Sequence, residues 1–332
     1  MAGAYPIGKN DQGRRLDRIL RKLFPELPLS AIHRLLRTGK VRMDGRKAKA
    51  DDRVDEGSIL TLPDEISGRE RTLASEHGLS EVGEERLAGQ NMEILFEDDR
   101  ILAVGKNVGE PTHGTDSLEE RVLAYLKGKL TPSLSFRPGP MHRLDQGTSG
   151  IVVFSKNLEG AKLFSNAIAS HLVRKSYLAV LDGVLDAERI WEDELVRDVT
   201  SRKSSVRKPD GIRQGLEARS HARPLAVGNG ISLALIQLGT GRTHQIRVQA
   251  SSRGLPLLGD RKYGGSPLSG GFLLHAYELV LPKEFDNHTL TMLPPTRFMD
   301  FIVDRFGEKT ALMIKQGIPG YKVFNDIRND IR

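Results

Sequence analysis

Pro140-Met141-His142-Arg143-Leu144-Asp145-Gln146-Gly147-Thr148-Ser149-Gly150 places a carboxylate close to a guanidinium in a glycine-bounded loop that runs into Ile151-Val152-Val153-Phe154. The four apolar residues read as a buried strand, so one end of the loop is anchored in a core element. Loops held on such scaffolds are where functional groups are commonly presented. A carboxylate near an arginine is favoured in its charged form, which suits a nucleophile or a base. The arginine itself can contact phosphate or fill the space left by a flipped base. An Arg-Leu-Asp triplet alone is nevertheless more often an ordinary surface ion pair.

Outward from this loop the chain is rich in strand patterns. Glu93 to Glu97 and Ile101 to Val104 flank an Asp98-Asp99 turn, and Ser176 to Leu181, Ile231 to Leu238 and Leu273 to Val280 are further strands. Helices are predicted at Leu118 to Leu126, Leu158 to Ala169 and His244 to Ser252. The expected class is α+β, with a catalytic domain over 91–305 built on a mixed, largely antiparallel sheet. Residues 306–332 form a tail of unassigned role.

The N-terminal segment differs. Leu16, Ile19, Leu20 and Leu23 recur at helical spacing, with Arg14, Arg15, Arg18, Arg21 and Lys22 on the other positions. Pro25 and Pro28 interrupt this helix. Ser30 is placed to cap a second one through Ile32, Leu35 and Leu36, with His33, Arg34 and Arg37 outward. Val41-Arg42-Met43, an Asp44-Gly45 turn and Arg46-Lys47 read as a hairpin, and Ser58 to Leu62 as a last strand. Residues 1–62 carry 14 Lys+Arg against 8 Asp+Glu, residues 63–90 carry 3 against 7, and the remainder 33 against 28. The pattern is a basic module, a polar linker over 63–90, and a nearly balanced larger domain.

The net charge of +7 over 332 residues favours an acidic partner such as nucleic acid. The absence of cysteine excludes disulfides, thiolate nucleophiles and cysteine metal sites. No apolar run reaches the roughly 18 residues of a membrane span, and no signal-peptide core precedes the basic helix. A cytoplasmic monomer without membrane attachment is expected.

The eleven-residue loop resembles the signature of the RluA-type pseudouridine synthases, His-Arg-Leu-Asp followed by Thr-Ser-Gly. Two further segments match in order. Arg174-Lys175-Ser176-Tyr177 resembles the strand on which the family's active-site tyrosine follows a basic pair. Gly239-Thr240-Gly241-Arg242-Thr243-His244-Gln245-Ile246-Arg247, followed by Gly259-Asp260-Arg261-Lys262-Tyr263-Gly264, is similar to the family's third motif. Two departures occur, Asn107 where proline is usual and Ser220 where threonine is usual. Residues 14–62 resemble the alpha-L RNA-binding module.

The resemblance implies that Asp145 is the catalytic aspartate, Tyr177 the active-site tyrosine, and Arg247 the basic residue that pairs with Asp145 and fixes its rotamer. It gives Arg143 a part in displacing the target base, and it makes His142, Thr148 and Ser149 supports of the loop geometry near the substrate. Leu274 is expected beside the uracil pocket and His275 in a structural role. Arg242 and His244 sit at a helix start, where a phosphate contact and packing compete. For His244 a structural hydrogen bond is the preferred reading. Arg15, Arg18, Arg34, Arg37, Lys40 and Arg42 are the expected RNA contacts of the basic module.

Isomerising uridine to pseudouridine imports no group and changes no oxidation state, so no cofactor or metal is expected. Asp145 acts either covalently on the sugar or as a base, two routes that the sequence leaves open. The partner is RNA, with ribosomal RNA favoured over transfer RNA. A non-catalytic RNA-binding protein predicts loss of Asp145, Tyr177 or Arg247. A metal hydrolase predicts paired histidines, whereas the nine histidines are scattered.

Overall fold

The computed structural model describes residues 3–66, 92–130, 133–198, 203–207 and 215–319. The expected linker thus falls mostly outside the described residues, as does the end of the tail from residue 320.

The N-terminal module holds β1 (Gly3–Pro6), α1 (Leu16–Leu23), α2 (Leu29–Arg37), β2 (Arg42–Met43), β3 (Arg46–Lys47) and β4 (Ile59–Leu62) in a sheet of order β1-β4-β2-β3. The apolar stripe of α1 packs on Ile32, Leu35 and Leu36 of α2 and on Leu60 and Leu62 of β4. Each such burial contributes roughly 1.5–3 kcal/mol, so the stripe fixes the helix pair. The hairpin turns at Asp44 (φ 49°) and Gly45 (φ 76°), the left-handed pair that a two-residue connection requires. Ser30 is not the cap. The helix starts at Leu29, which puts Ser30 inside its first turn, and Pro28 takes the extended position before it without a side-chain bond. The short β1, which carries a proline, gives little strand signal and is defined by its pairing with β4.

The larger domain is an eleven-stranded sheet. Its strands are β5 (Ile94–Glu97), β6 (Ile101–Lys106), β7 (Gly139–Pro140), β8 (Ser149–Ser155), β9 (Arg174–Leu181), β10 (Arg189–Asp198), β11 (Lys203–Val206), β12 (Leu216–Gly228), β13 (Ile231–Leu238), β14 (Leu274–Val280) and β15 (Thr289–Thr291). The order is β11-β10-β12-β13-β9-β14-β8-β6-β5, with β15 on β14 and β7 on β8. The β8–β14 pair is parallel and the others are antiparallel. The expected mixed, largely antiparallel sheet is therefore present.

Alternation along the strands separates two faces. Leu102, Val104, Val152, Phe154, Tyr177 and Ala179 point to one, covered by α3 (Leu118–Leu126) and later by α5 (Gln245–Ser252). Ile101, Ala103, Ile151 and Val153 point to the other, where α4 (Leu158–Ala169) inserts Phe164 and Ala167. Past residue 305 the chain continues in helix. Phe298 and Ile302 of α6 (Thr296–Phe306) and Ala311 and Ile314 of α7 (Glu308–Gln316) cover Leu178, Val180, Leu233 and Leu235, and the Tyr277 hydroxyl donates to the Ile314 carbonyl at 2.9 Å.

The module is docked on this domain. Asp11, with no exposed surface, accepts hydrogen bonds from Ser133 Oγ, Leu134 N, Ser135 N and Ser135 Oγ at 2.6–3.0 Å. Asn10 Oδ1 accepts from Leu158 N, at the start of α4, at 3.1 Å. No described helix is long and apolar enough to cross a membrane.

Candidate active site

The loop between β7 and β8 is fastened along its whole length. Met141 N donates to Val153 O at 2.8 Å, and Val153 N donates in return to His142 Nε2 at 3.1 Å. The His142 ring stacks on Phe164, on the α4 side of the sheet. Burial, with a smaller contribution from Lys175, pushes the His142 pKa well below its ordinary value, consistent with a neutral acceptor. His142 therefore holds the loop. Thr112 Oγ1 bridges both backbone atoms of Leu144, whose side chain enters the core.

Further along, Lys106 Nζ lies fully buried and donates to the carbonyls of Asn107, Glu110 and Gln146 at 2.6–3.2 Å. Burial lowers its pKa to about 8, against the opposing pull of Glu110 and Asp145. Gln146 is also clasped to Gly109 in both directions at 2.8 Å. Asn107 thus sits in the turn that supports the Asp145 loop, and its carbonyl accepts from Lys106. Thr148 N closes a turn on Asp145 O at 2.9 Å, and the Thr148 side chain is buried. Gly147 and Gly150 are required sterically. A Cβ at Gly147 would lie 2.8 Å from the Phe272 ring, and one at Gly150 (φ 122°) would lie 2.3 Å from Ala276 O.

Fixed in this way, Asp145 meets Arg247 from α5. Arg247 Nη1 donates to Asp145 Oδ2 at 2.9 Å, joining two residues 102 positions apart. The rest of the guanidinium is committed to Asp260, with Nε to Oδ2 at 2.7 Å and Nη2 to Oδ1 at 2.9 Å. Its plane lies over the rings of Phe272 and Tyr263 at 4.6 and 4.9 Å. Burial alone would lower the Arg247 pKa, but Asp260 and then Asp145 reverse the effect and raise it. The cation beside Asp145 is therefore Arg247, while Arg143 is exposed and makes no ion pair among the described residues.

His244 completes the rim in a left-handed conformation (φ 57°). Its Nδ1 lies 2.7 Å from the Tyr263 hydroxyl, and its Nε2 lies 3.7 Å from Asp145 Oδ1. The Tyr263 oxygen also accepts from Ser204 N at 3.1 Å. Burial lowers the His244 pKa and outweighs the opposing effect of Asp145. The adjacent Gln245 is structural. It accepts from Thr240 Oγ1 and Arg242 N and donates to Arg219 O and Ser220 Oγ. Ser220 supplies the needed hydroxyl despite its difference from the family pattern, and also donates to Gln249 at 2.7 Å. Arg242 is exposed, with Nε on Glu217 O.

Tyr177 and Leu274 lie in one apolar cluster with Leu144. The Tyr177 hydroxyl has no hydrogen-bond partner among the described residues. Burial, reinforced by the Asp145 charge, pushes its pKa far above the usual phenol value, so it is a donor at any working pH. Lys175, two residues earlier and on the same face of β9, makes no ion pair among the described residues, and burial lowers its pKa to about 8. Its Nζ lies 3.8 Å from where a side chain at Gly241 would begin. His275 bridges Ser149 Oγ (2.9 Å) and Met292 O (2.8 Å) inside the core. In the module, Arg18, Arg34, Arg37, Lys40 and Arg42 are exposed, and Arg15 is held by Asp17 at 2.9 Å.

Sequence reasoning assigned no role to Asp260, Tyr263, Phe272 or Lys106. Asp260 and Tyr263 belong to the Gly259–Gly264 turn that matches with the third motif, but the match gives them no task. A buried aspartate anchoring Arg247 is evident only once that turn folds against α5.

The family model described as RNA pseudouridylate synthase matches residues 100–252, and that of the S4 domain matches residues 14–60. Ribosomal large subunit pseudouridine synthase C of Rickettsia bellii is 30% identical over 279 residues, covering 81% of this chain and 90% of the relative. Ribosomal large subunit pseudouridine synthase D of Pseudomonas aeruginosa is 31% identical over 255 residues, covering 76% and 74%. The chain belongs to the RNA pseudouridylate synthase family and is an isomerase acting on RNA. The solved human RNA pseudouridylate synthase domain containing 4 shares its fold, with a TM-score of 0.55 at 22% identity over 72% of this chain and 98% of the human one.

Proposed function

We propose that this enzyme converts specific uridines of large-subunit ribosomal RNA to pseudouridine, with Asp145 as the catalytic carboxylate. The observation that carries this reading is the Asp145–Arg247–Asp260 chain beside Tyr177. It holds one carboxylate oxygen at 2.9 Å from a fixed guanidinium while Asp145 keeps 23% of its side-chain surface open. The bond from ribose C1′ to uracil N1 breaks, the base turns, C1′ joins C5, and the proton on C5 is replaced by one on N1. Asp145 assists by bonding to the sugar or by removing a proton from it.

The exposed Arg143 enters the space of the flipped base, offsetting an unstacking cost of a few kcal/mol. Tyr177 stacks on the uracil and donates to it, with Leu274 packing behind, while Thr148 and His142 maintain the loop. Arg242 contacts a flanking phosphate. Residues 1–62 act as an RNA-binding module through Arg15, Arg18, Arg34, Arg37, Lys40 and Arg42, and 91–305 with the helix that follows form the catalytic unit. The names of the two bacterial relatives support ribosomal RNA as the substrate. The enzyme works as a cytoplasmic monomer alongside that RNA. Pseudouridine mapping of total RNA from cells with and without the gene tests the reading. Sites in large-subunit RNA should disappear with the gene, and an unchanged map would refute it.

A further inference from the structure

The docking of the N-terminal module creates a feature that neither domain has alone. A groove of about 520 Å³ runs between them, lined by Arg14, Arg15, Arg18 and Arg53 of the module and by Leu158 and Lys162 of α4. Among the described residues no carboxylate lines it. Arg14 and Arg18 continue from it into a second basic hollow shared with Arg21 and Lys22. Arg15 is partly neutralised by Asp17, and Arg53 donates to Gly13 O, but the side chains of Arg14, Arg18 and Lys162 make no ion pair among the described residues.

Position distinguishes this groove from the active site. Phe164 of α4 packs with Ile101, Ala103, Ile151 and Val153, whereas Tyr177 and Leu144 pack with the alternate residues Leu102, Val104, Val152 and Phe154. The helix carrying Lys162 therefore covers the face of the sheet opposite Asp145. The junction that brings Lys162 to the arginines is a built one. Asp11 is fully buried, receives four hydrogen bonds from residues 133–135, and has no cation among them. Asn10 pins the first residue of α4. A buried carboxylate satisfied only by neutral donors is costly to pull away from them, so the two basic surfaces are held in register.

We propose that the docked module and α4 form one composite phosphate-binding groove, which grips an RNA backbone segment on the side of the catalytic domain opposite the target uridine. Lys162 is the catalytic domain's contribution and Asp11 the residue that assembles the groove. The inference rests on the reading of the module as RNA-binding and extends it to a surface across the domain junction. RNA held there is gripped by charge without base reading, so its binding falls with salt in proportion to the phosphates contacted.

The test measures binding of the full-length protein to a fluorescent 16-base-pair RNA duplex of arbitrary sequence across a salt series. Lys162→Glu, a surface change remote from the core, should raise Kd about fivefold and reduce the salt slope by about 1, as should Arg18→Ala. In an Asp11→Ala background, Lys162→Glu should have no further effect. If Arg18→Ala weakens binding while Lys162→Glu leaves both Kd and slope unchanged, the composite groove is wrong and the module reading stands. If neither changes binding, both are wrong. An undiminished effect of Lys162→Glu without Asp11 would overturn the role given to docking.

Discussion

Asp260 is buried behind Arg247, and the proposed role of Asp145 depends on it as the anchor of that arginine. It is 1% exposed, and both its oxygens are engaged by Arg247, at 2.7 and 2.9 Å. Asp260→Asn preserves the shape, keeps one acceptor oxygen and turns an NH2 donor toward a guanidinium donor, while removing the charge that offsets a buried cation. Breaking one side of a buried ion pair costs 3–5 kcal/mol, and the retained bond places this change at about 3 kcal/mol. Arg247 is then free to swing, and Asp145 loses the partner that sets its rotamer. A misplacement of about 1 Å at a reacting group costs on the order of 100-fold in rate. Urea denaturation should register the first effect. The second should appear in single-turnover release of tritium from RNA labelled at uracil C5, measured well below the melting temperature. A folded Asp260→Asn enzyme with the wild-type single-turnover rate would refute the reasoning, since Arg247 would then need no anchor.

Tyr177→Phe keeps the ring and removes a donor with no hydrogen-bond partner among the described residues. Its single-turnover rate should fall roughly 10- to 100-fold with stability within about 1 kcal/mol of wild type, and an unaltered rate would remove the hydroxyl from the chemistry. His244 is held neutral by burial, so protonation in acid places a second cation against Asp145 in competition with Arg247. The wild-type pH–rate profile should carry an acidic limb from this group, and His244→Gln should lose that limb while retaining activity near neutrality. His275 has a folded pKa of about 4, below its ordinary 6.5. The unfolded chain thus binds the extra proton first, and the stability present above pH 6.5 is lost as pH falls toward 4. The gap corresponds to about 3 kcal/mol. Urea midpoints should decline across that window in wild type and decline less in His275→Gln, and parallel declines would exclude His275 as the cause.

Much of this could be read in the chain because local patterns and tertiary demands agree. Leu16, Ile19, Leu20 and Leu23 are apolar at the spacing that faces α2, and the Ile151–Phe154 run is buried on both faces of the sheet. The polar strands were less visible. In β10 only Trp191 and Leu195 are buried, so Arg-Ile-Trp-Glu-Asp-Glu-Leu-Val-Arg-Asp shows little strand character by itself. Pro224 hides β12 because its bulge lies within a strand that a proline ordinarily argues against. The helices α6 and α7 owe their place to the apolar face of β9 and β13, which lies more than 60 residues away in sequence for β13. In the site, Asp145 and Arg247 carried motif signals, whereas Lys106, Asp260 and Phe272 matter through contacts made only after folding.

The central claim is that Asp145, set by Arg247, performs the isomerisation. Its most direct test is pseudouridine mapping of unmodified large-subunit ribosomal RNA incubated with purified wild-type and Asp145→Asn protein. Wild type should install pseudouridine at discrete positions, and Asp145→Asn should bind the RNA with similar affinity and install none. Modification by Asp145→Asn at the wild-type rate would contradict the account.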